Sequence, residues 1–151
     1  MDGSANIGAM IDGMSLAEKA SLCSGMYFWY LKSIPHLGLE GLMITDGPQG
    51  LRKQVSAADR AGLETSVPAT CFPAAVNLAS SCDRALLRRV GSSIAEECLA
   101  EGVGVLLAPG VNIKRNPLCG RNFEYFSEDP LLAGELGAAF VEGLQERGVG
   151  A

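Results

Sequence analysis

A chain of 151 residues, 48% hydrophobic and 19% charged, can fill one domain and hide roughly two thirds of its unfolded surface, which excludes disorder as its default state. Its net charge of −5, with no basic patch, argues against nucleic acid or an anionic membrane surface as partner. The opening "MDGSANIGAMIDGMSLAEKA" has no basic stretch followed by an apolar one, and no window reaches the roughly 20 apolar residues that span a bilayer, so a soluble, cytoplasmic protein is expected.

Ser15 and Glu18 stand at capping-box spacing and predict a first helix beginning at Ser15, followed by a turn. In "GLMITDGPQG", residues 42–45 read as a buried strand that runs into a sharp loop set by Asp46, Gly47, Pro48 and Gly50. Residues 52–73 show no clean period and contain Pro68 and Pro73; they read as a long excursion over the surface. Asp83 is the expected N-cap of a helix that repeats Leu86, Val90, Ile94 and Cys98, with Leu87 and Leu99 widening the apolar face and Gly102 as its stop. "VGVLLAP" reads as a second buried strand, and the segment "PLCGRNFEYFSEDP" as the loop at its carboxyl end. Asp129 and Pro130 then open a helix with Leu132, Leu136, Phe140 and Leu144 on one face and Gly148 beyond its end.

Strand, loop, helix, repeated, is the rhythm of an α/β protein with a parallel sheet. The closing "VGA", ending at Ala151, reads as the opening of another strand. A (β/α)₈ barrel takes roughly 250 residues, so residues 1–151 are expected to hold its first βα units, incomplete, as the amino-terminal portion of something longer.

Ligands of such proteins meet the loops at the carboxyl ends of strands, where both Asp46 and Arg121 fall. Two readings stand for Asp46: a carboxylate projecting into a pocket, or a cap for the turn at Gly47 and Pro48. Arg121 offers a planar fork of donors suited to vicinal hydroxyls or a carboxylate, or it braces the loop through Glu124 or Glu128. Those two roles are compatible. Phe123, Tyr125 and Phe126 suit stacking on a sugar face, with anchoring of the loop on the core the preferred role for at least two of them. Lys114 and Arg115 read as structural or solvated.

The five cysteines, Cys23, Cys71, Cys82, Cys98 and Cys119, are odd in number and never paired as Cys-x-x-Cys, which suits reduced thiols. Cys119 has no nearby histidine to serve as its base and reads as a small buried residue. His36, the one histidine, reads as surface, so no metal site is expected, and Gly102-Val103-Gly104 precedes a strand and so is no dinucleotide fingerprint.

"MITDGPQGLRKQ", "TCFPAAVNLASS" and above all "NIKRNPLCGRNFEYFSEDP" resemble, in order and spacing, the amino-terminal domain of glycoside hydrolase family 3, of the bacterial β-glucosidase type. The resemblance covers nearly the whole chain from about Ser15 onward. It implies a (β/α)₈ barrel or a reduced version of it, and a retaining exo-glycosidase that releases terminal non-reducing β-D-glucosyl residues without metal or cofactor. Asp46 of "DGP" and Arg121 of "GRNFE" would hold hydroxyls of the terminal sugar, with Glu124 orienting Arg121. Retention needs two carboxyl groups about 5 Å apart. The resemblance puts the nucleophilic Asp well downstream of "GRNFE" and the acid/base in a later domain, both beyond Ala151. The 151-residue chain is therefore expected to be inactive alone and to carry no catalytic residue. Its partners would be a β-glucoside and the missing carboxyl-terminal part of its own chain. The alternative is a non-catalytic sugar-binding or assembly protein that completes its sheet by pairing with another chain. Two departures from the pattern stand out: Cys82 in place of an aromatic residue, and Gln49 where His or Arg is common.

Overall fold

The chain forms two separate units, divided after Met43. The computed structural model describes residues 7–55 and 65–151, so residues 56–64 of the predicted surface excursion and the first six residues lie outside the described residues.

In the first unit the capping box is formed as its spacing predicts. Glu18 N–H donates to Ser15 Oγ at 3.3 Å while Ser15 N–H donates to Glu18 Oε2 at 2.8 Å, and helix α2 (Leu16–Leu22) starts at that cap. It is not the first helix. A helix α1 (Ile7–Asp12) precedes it, with no buried residue, although Ile7, Met10 and Ile11 stand at helical spacing. The expected turn after α2 is instead an antiparallel hairpin of β1 (Gly25–Tyr27) and β2 (Tyr30–Leu31), whose aromatic residues include an edge-on Tyr27–Tyr30 pair. His36 sits in a 3₁₀ turn (Pro35–Leu37) closed by Gly38 at φ 66°, and lies at the surface as expected, 2.7 Å from Glu18 Oε1.

The second unit is built on two parallel strands and two helices. Strand β3 (Ile44–Asp46) pairs with β4 (Val105–Leu107), Ile44 beside Val105 and Asp46 beside Leu107. The strand expected over 42–45 therefore ends one residue later and starts two later, and Leu42, 38% exposed, is no core residue. Its apolar run reads as one buried strand, yet only Met43 and Thr45 of it are buried. At the chain's end Gly150 bridges Val105 in parallel, with Gly150 N–H donating to Gly104 O and Leu106 N–H to Gly150 O, both at 2.9 Å, as the reading of "VGA" anticipates. Ala151 follows that bridge and is exposed. The architecture is thus mixed α/β with parallel pairing, and no closed barrel exists among the described residues.

A short helix α3 (Ala75–Ala79) has no side-chain cap, which is why nothing in the sequence marks it. Helix α4 (Arg84–Ala100) is capped by Asp83, which accepts from Leu86 N–H at 3.0 Å, and it buries Leu87, Val90, Ile94 and Cys98. Leu99 does not widen that face; it is 53% exposed, because its position turns away from the buried stripe. Helix α5 (Pro130–Gln145) starts with Pro130 behind the Asp129 cap and buries Leu136, Phe140 and Leu144 as predicted. Each such side chain, taken fully from water, contributes about 2 kcal/mol.

Two glycines let α4 and α5 approach closely. A Cβ on Gly143 would lie 2.1 Å from Arg88 O, and one on Gly91 would lie 2.3 Å from Phe140 O. Gly143→Ala should therefore lower stability by roughly 3 kcal/mol, since two backbones must separate. Gly134→Ala on the same helix faces open space and should raise stability by up to about 1 kcal/mol. Urea midpoints of both variants against the parent check this, and equal midpoints would contradict the packing.

The Ser15 hydrogen bonds, backbone first and then hydroxyl, together with His36, hold the Glu18 carboxyl down to about 2 from an ordinary 4.5. A depressed carboxyl stabilises above its unfolded value, so this contribution is complete above about pH 4.5 and disappears as pH falls through about 2. A carbon-detected NMR titration should place Glu18 at about 2 in the parent and higher in Ser15→Ala, which removes the hydroxyl bond and keeps the backbone N–H.

Candidate functional site

The register of β3 and β4 ends both strands at one edge, so the loops after Asp46 and after Leu107 leave side by side. The first loop is tied back on itself. Arg52 N–H donates to Asp46 O at 3.0 Å, the buried Thr45 hydroxyl donates to Arg52 O at 2.6 Å, and Gly50 N–H donates to Gly47 O at 3.3 Å. Gly50 adopts φ 132°, and a Cβ there would meet Thr70 O at 2.1 Å, so a side chain is excluded both by conformation and by space.

The second loop is braced internally. Asn122 Nδ2 donates to Asn116 O at 2.9 Å, Leu118 N–H donates to Asn116 Oδ1 at 2.9 Å, and Lys114 N–H donates to Ser127 O at 3.3 Å. Phe126 is buried and Tyr125 half-buried, the anchors expected of two of the three aromatics, while Phe123 is 51% exposed. A 3₁₀ turn (Asn122–Glu124) that contains Phe123 sets Arg121 and Glu124 three residues apart on one side.

Between the two loops lies an open cleft of about 610 Å³, lined by Asp46, Gln49, Arg52, Arg121, Phe123 and Glu124 among others. It brings together all three residues singled out from the sequence. Arg121 Nε donates to Glu124 Oε1. The carboxylate side chain is only 12% exposed and the guanidinium side chain 73%, so the acid stands behind and the terminal nitrogens stand in front. That hydrogen bond and its charge raise the already high pKa of Arg121, keeping it cationic. Asp46 does not cap its turn: no side-chain hydrogen bond of its carboxylate is formed among the described residues, and the turn closes through Gly47 and Gly50 backbone instead. Asp129, by contrast, is a helix cap, accepting from Leu131 N–H at 3.0 Å.

Several expectations change. Cys119 is exposed, because its loop projects from the sheet edge and its backbone is held by Asn116 O; it is not a buried thiol. The 52–73 excursion is not wholly superficial. Gln54 is buried, and its arms pair through Val67 N–H to Lys53 O at 2.8 Å and Val55 N–H to Thr65 O at 3.1 Å. Its return arm supplies Val67, Ala69, Thr70 and Cys71 to the cleft. Sequence reasoning misses these and Arg52 as cleft residues, since only the long-range fold carries them there; the "TCFP" and "GLRKQ" stretches of the quoted blocks are their trace.

Residues 42–151 match the Glycosyl hydrolase family 3 N terminal domain. The chain is 58% identical to the thermostable beta-glucosidase B of Acetivibrio thermocellus, covering 97% of this chain and 19% of that protein. It is 55% identical to the exo-alpha-(1->6)-L-arabinopyranosidase of Bifidobacterium breve, covering 93% of this chain and 19% of that one. Among solved structures, beta-glucosidase 3B of Thermotoga neapolitana in complex with alpha-D-glucose superposes with a TM-score of 0.85 at 40% identity, covering 97% of this chain and 22% of the other. The chain thus spans about a fifth of the length of the curated relatives it matches.

Thiol chemistry checks the geometry. Burial pushes the Cys98 thiol up to about 11, whereas Cys71 is exposed on the cleft wall. Iodoacetamide at pH 8 should label Cys23, Cys71, Cys82 and Cys119 in the native protein and Cys98 only after denaturation, read by peptide mass spectrometry. From its matched domain and the share of the chain that this match covers, the protein belongs to glycosyl hydrolase family 3.

Proposed function

We propose that this chain supplies part of the sugar-binding site of a retaining glycosidase that removes terminal non-reducing β-D-glucosyl residues. The observation that carries it is the cleft in which the Asp46 carboxylate and the Glu124-backed Arg121 guanidinium come together. A neutral polyol offers adjacent hydroxyls that both donate and accept. Asp46, acceptor only, accepts hydrogen bonds from two of them, and the planar fork of Arg121 donates to their oxygens. Phe123, exposed at the rim, gives an apolar face to a pyranose ring.

The same site argues against hydrolysis by these residues alone. Retention needs a nucleophilic carboxylate and an acid/base about 5 Å apart. Of the carboxylates lining the cleft, Glu124 is committed to Arg121, which leaves Asp46. Glu128 is outside the lining and Asp129 caps α5. In this proposal the nucleophile and acid/base come from beyond Ala151, as the family resemblance implies. The barrel expected from the sequence belongs to the same proposal, with β3 and β4 as two of its parallel strands.

Glucose specificity is favoured by the higher identity to a beta-glucosidase than to an arabinopyranosidase, 58% against 55%, a small margin that makes L-arabinose the natural competitor. A second reading, an assembly protein that completes its sheet with another chain, draws on the 51% exposure of Leu107 at the end of β4. Light scattering separates it, because it requires a defined oligomer.

The purified chain should release no nitrophenol from an aryl β-glucoside; robust turnover would overturn the placement of the nucleophile. NMR titration with D-glucose should show shifts at the Asp46 and Arg121 loops. Asp46→Ala and Arg121→Lys should each weaken that binding by about tenfold or more, the second because an ammonium cannot reproduce the two-pronged donor.

A further inference from the structure

The cleft wall contributed by residues 69–71 has no regular structure of its own, yet it is held from three sides. Thr70 N–H donates to both carboxylate oxygens of Glu97 at 3.2 Å. Thr70 O rests on Gly50, where even a methyl group would come within 2.1 Å. Phe72 N–H donates to Gln49 O at 2.8 Å, joining this wall to the loop that begins at Asp46.

Glu97 is half-buried on α4, outside the lining of the cleft. One helical turn further along, Glu101 takes the other arm of the excursion: Lys53 Nζ donates to Glu101 O at 2.6 Å and lies 3.0 Å from its Oε2. Lys53 is hydrogen-bonded in turn through its own carbonyl to Val67 N–H. Both arms of the excursion are thus fastened to one ridge of α4, and Gly91 and Gly143 lock that helix to α5.

We propose that Glu97 is a positioning residue for the cleft: by accepting the Thr70 N–H it holds residues 69–71 against Gly50 and so sets the shape of the wall that a bound sugar meets. The proposal rests on reading the cleft as a sugar site only in its last clause. A backbone N–H paired with a carboxylate is a charge-assisted bond, about twice as strong as a neutral one, and no other hydrogen bond of this N–H is formed among the described residues. Without it the segment keeps, among the described residues, the Phe72 bond and its packing on Gly50.

The test uses the full 151-residue chain with Glu97→Ala, Glu97→Gln and, as control on the same helix, Glu96→Ala, whose partner is Arg147 on the far surface of the α4–α5 pair. Amide hydrogen exchange at Thr70 and iodoacetamide labelling at Cys71 read the wall directly, and D-glucose titration reads its consequence. Glu97→Ala should speed exchange at Thr70 and labelling at Cys71 by at least about fivefold and weaken glucose binding by about tenfold, corresponding to the loss of one charged hydrogen bond. Glu97→Gln keeps a neutral acceptor oxygen and should recover part of each change, whereas Glu96→Ala should alter none. Should Glu97→Ala fold poorly, Glu97→Asp keeps the charge but shortens the arm by one methylene and serves in its place. If Glu97→Ala, or Glu97→Asp in its place, matches Glu96→Ala in exchange and labelling, the positioning role is overturned. If those two readouts move as expected while the parent chain binds no glucose, the positioning role stands and the sugar reading of the cleft falls.

Discussion

The parallel pairing of β3 with β4 is the constraint on which the second unit depends. A parallel register sets Asp46 opposite Leu107, so both strands end at the same edge and the loops that follow them emerge as neighbours. An antiparallel pair would have sent those loops to opposite ends. A shift of one residue would have turned Asp46 to the other face of the sheet and removed its carboxylate from the cleft. Thr45, wholly buried between them, reinforces the arrangement by fastening Arg52 O beneath the first loop.

The helices supply the rigidity that the short strands lack. Strands of three residues offer few ladder bonds, and the sheet edge would be soft if it stood alone. The close approach of α4 and α5 at Gly91 and Gly143 buries Leu87, Ile94, Phe140 and Leu144 in one seam. Side groups of α4 then reach outward to the loops. Glu97 and Glu101 grasp the excursion at Thr70 and Lys53, while Phe126 is buried where the opposite loop packs near Gly137 of α5. The loops that line the cleft are thus irregular in backbone but hydrogen-bonded at several points each.

The electrostatics follow from unequal exposure. Glu124 is nearly buried and would be costly to leave charged without a partner; Arg121 satisfies it and is held in one orientation by doing so. Asp46 has no such partner among the described residues, and its carboxylate stays available at the cleft. One acid braces an arginine while the other faces outward, an arrangement suited to a neutral ligand with many hydroxyls, which needs both donors and acceptors and no net charge opposite.

Local signals were legible wherever a residue acts on its immediate neighbours. The caps at Ser15, Asp83 and Asp129, the four-residue repeat of α4, the buried face of α5 and the parallel rhythm were all readable, because each is a matter of backbone hydrogen bonds or side-chain spacing within one element. Asp46 was readable too, since it directly follows an apolar run, and Arg121 and Glu124 were readable from the charged and aromatic segment on the loop that leaves the second strand. Their role was suggested by motif resemblance, not by spacing. The tertiary structure alone decided the rest. The exposure of Leu42, Leu99 and Cys119, the burial of Leu51 and Gln54, and the arrival of Thr70 and Cys71 at the cleft depend on which distant segment lies across each residue. No local period encodes that. Glu97 shows the limit most clearly: in the sequence it is one more polar position on an amphipathic helix, and it is fastened to the cleft wall only because the fold returns residue 70 to its side.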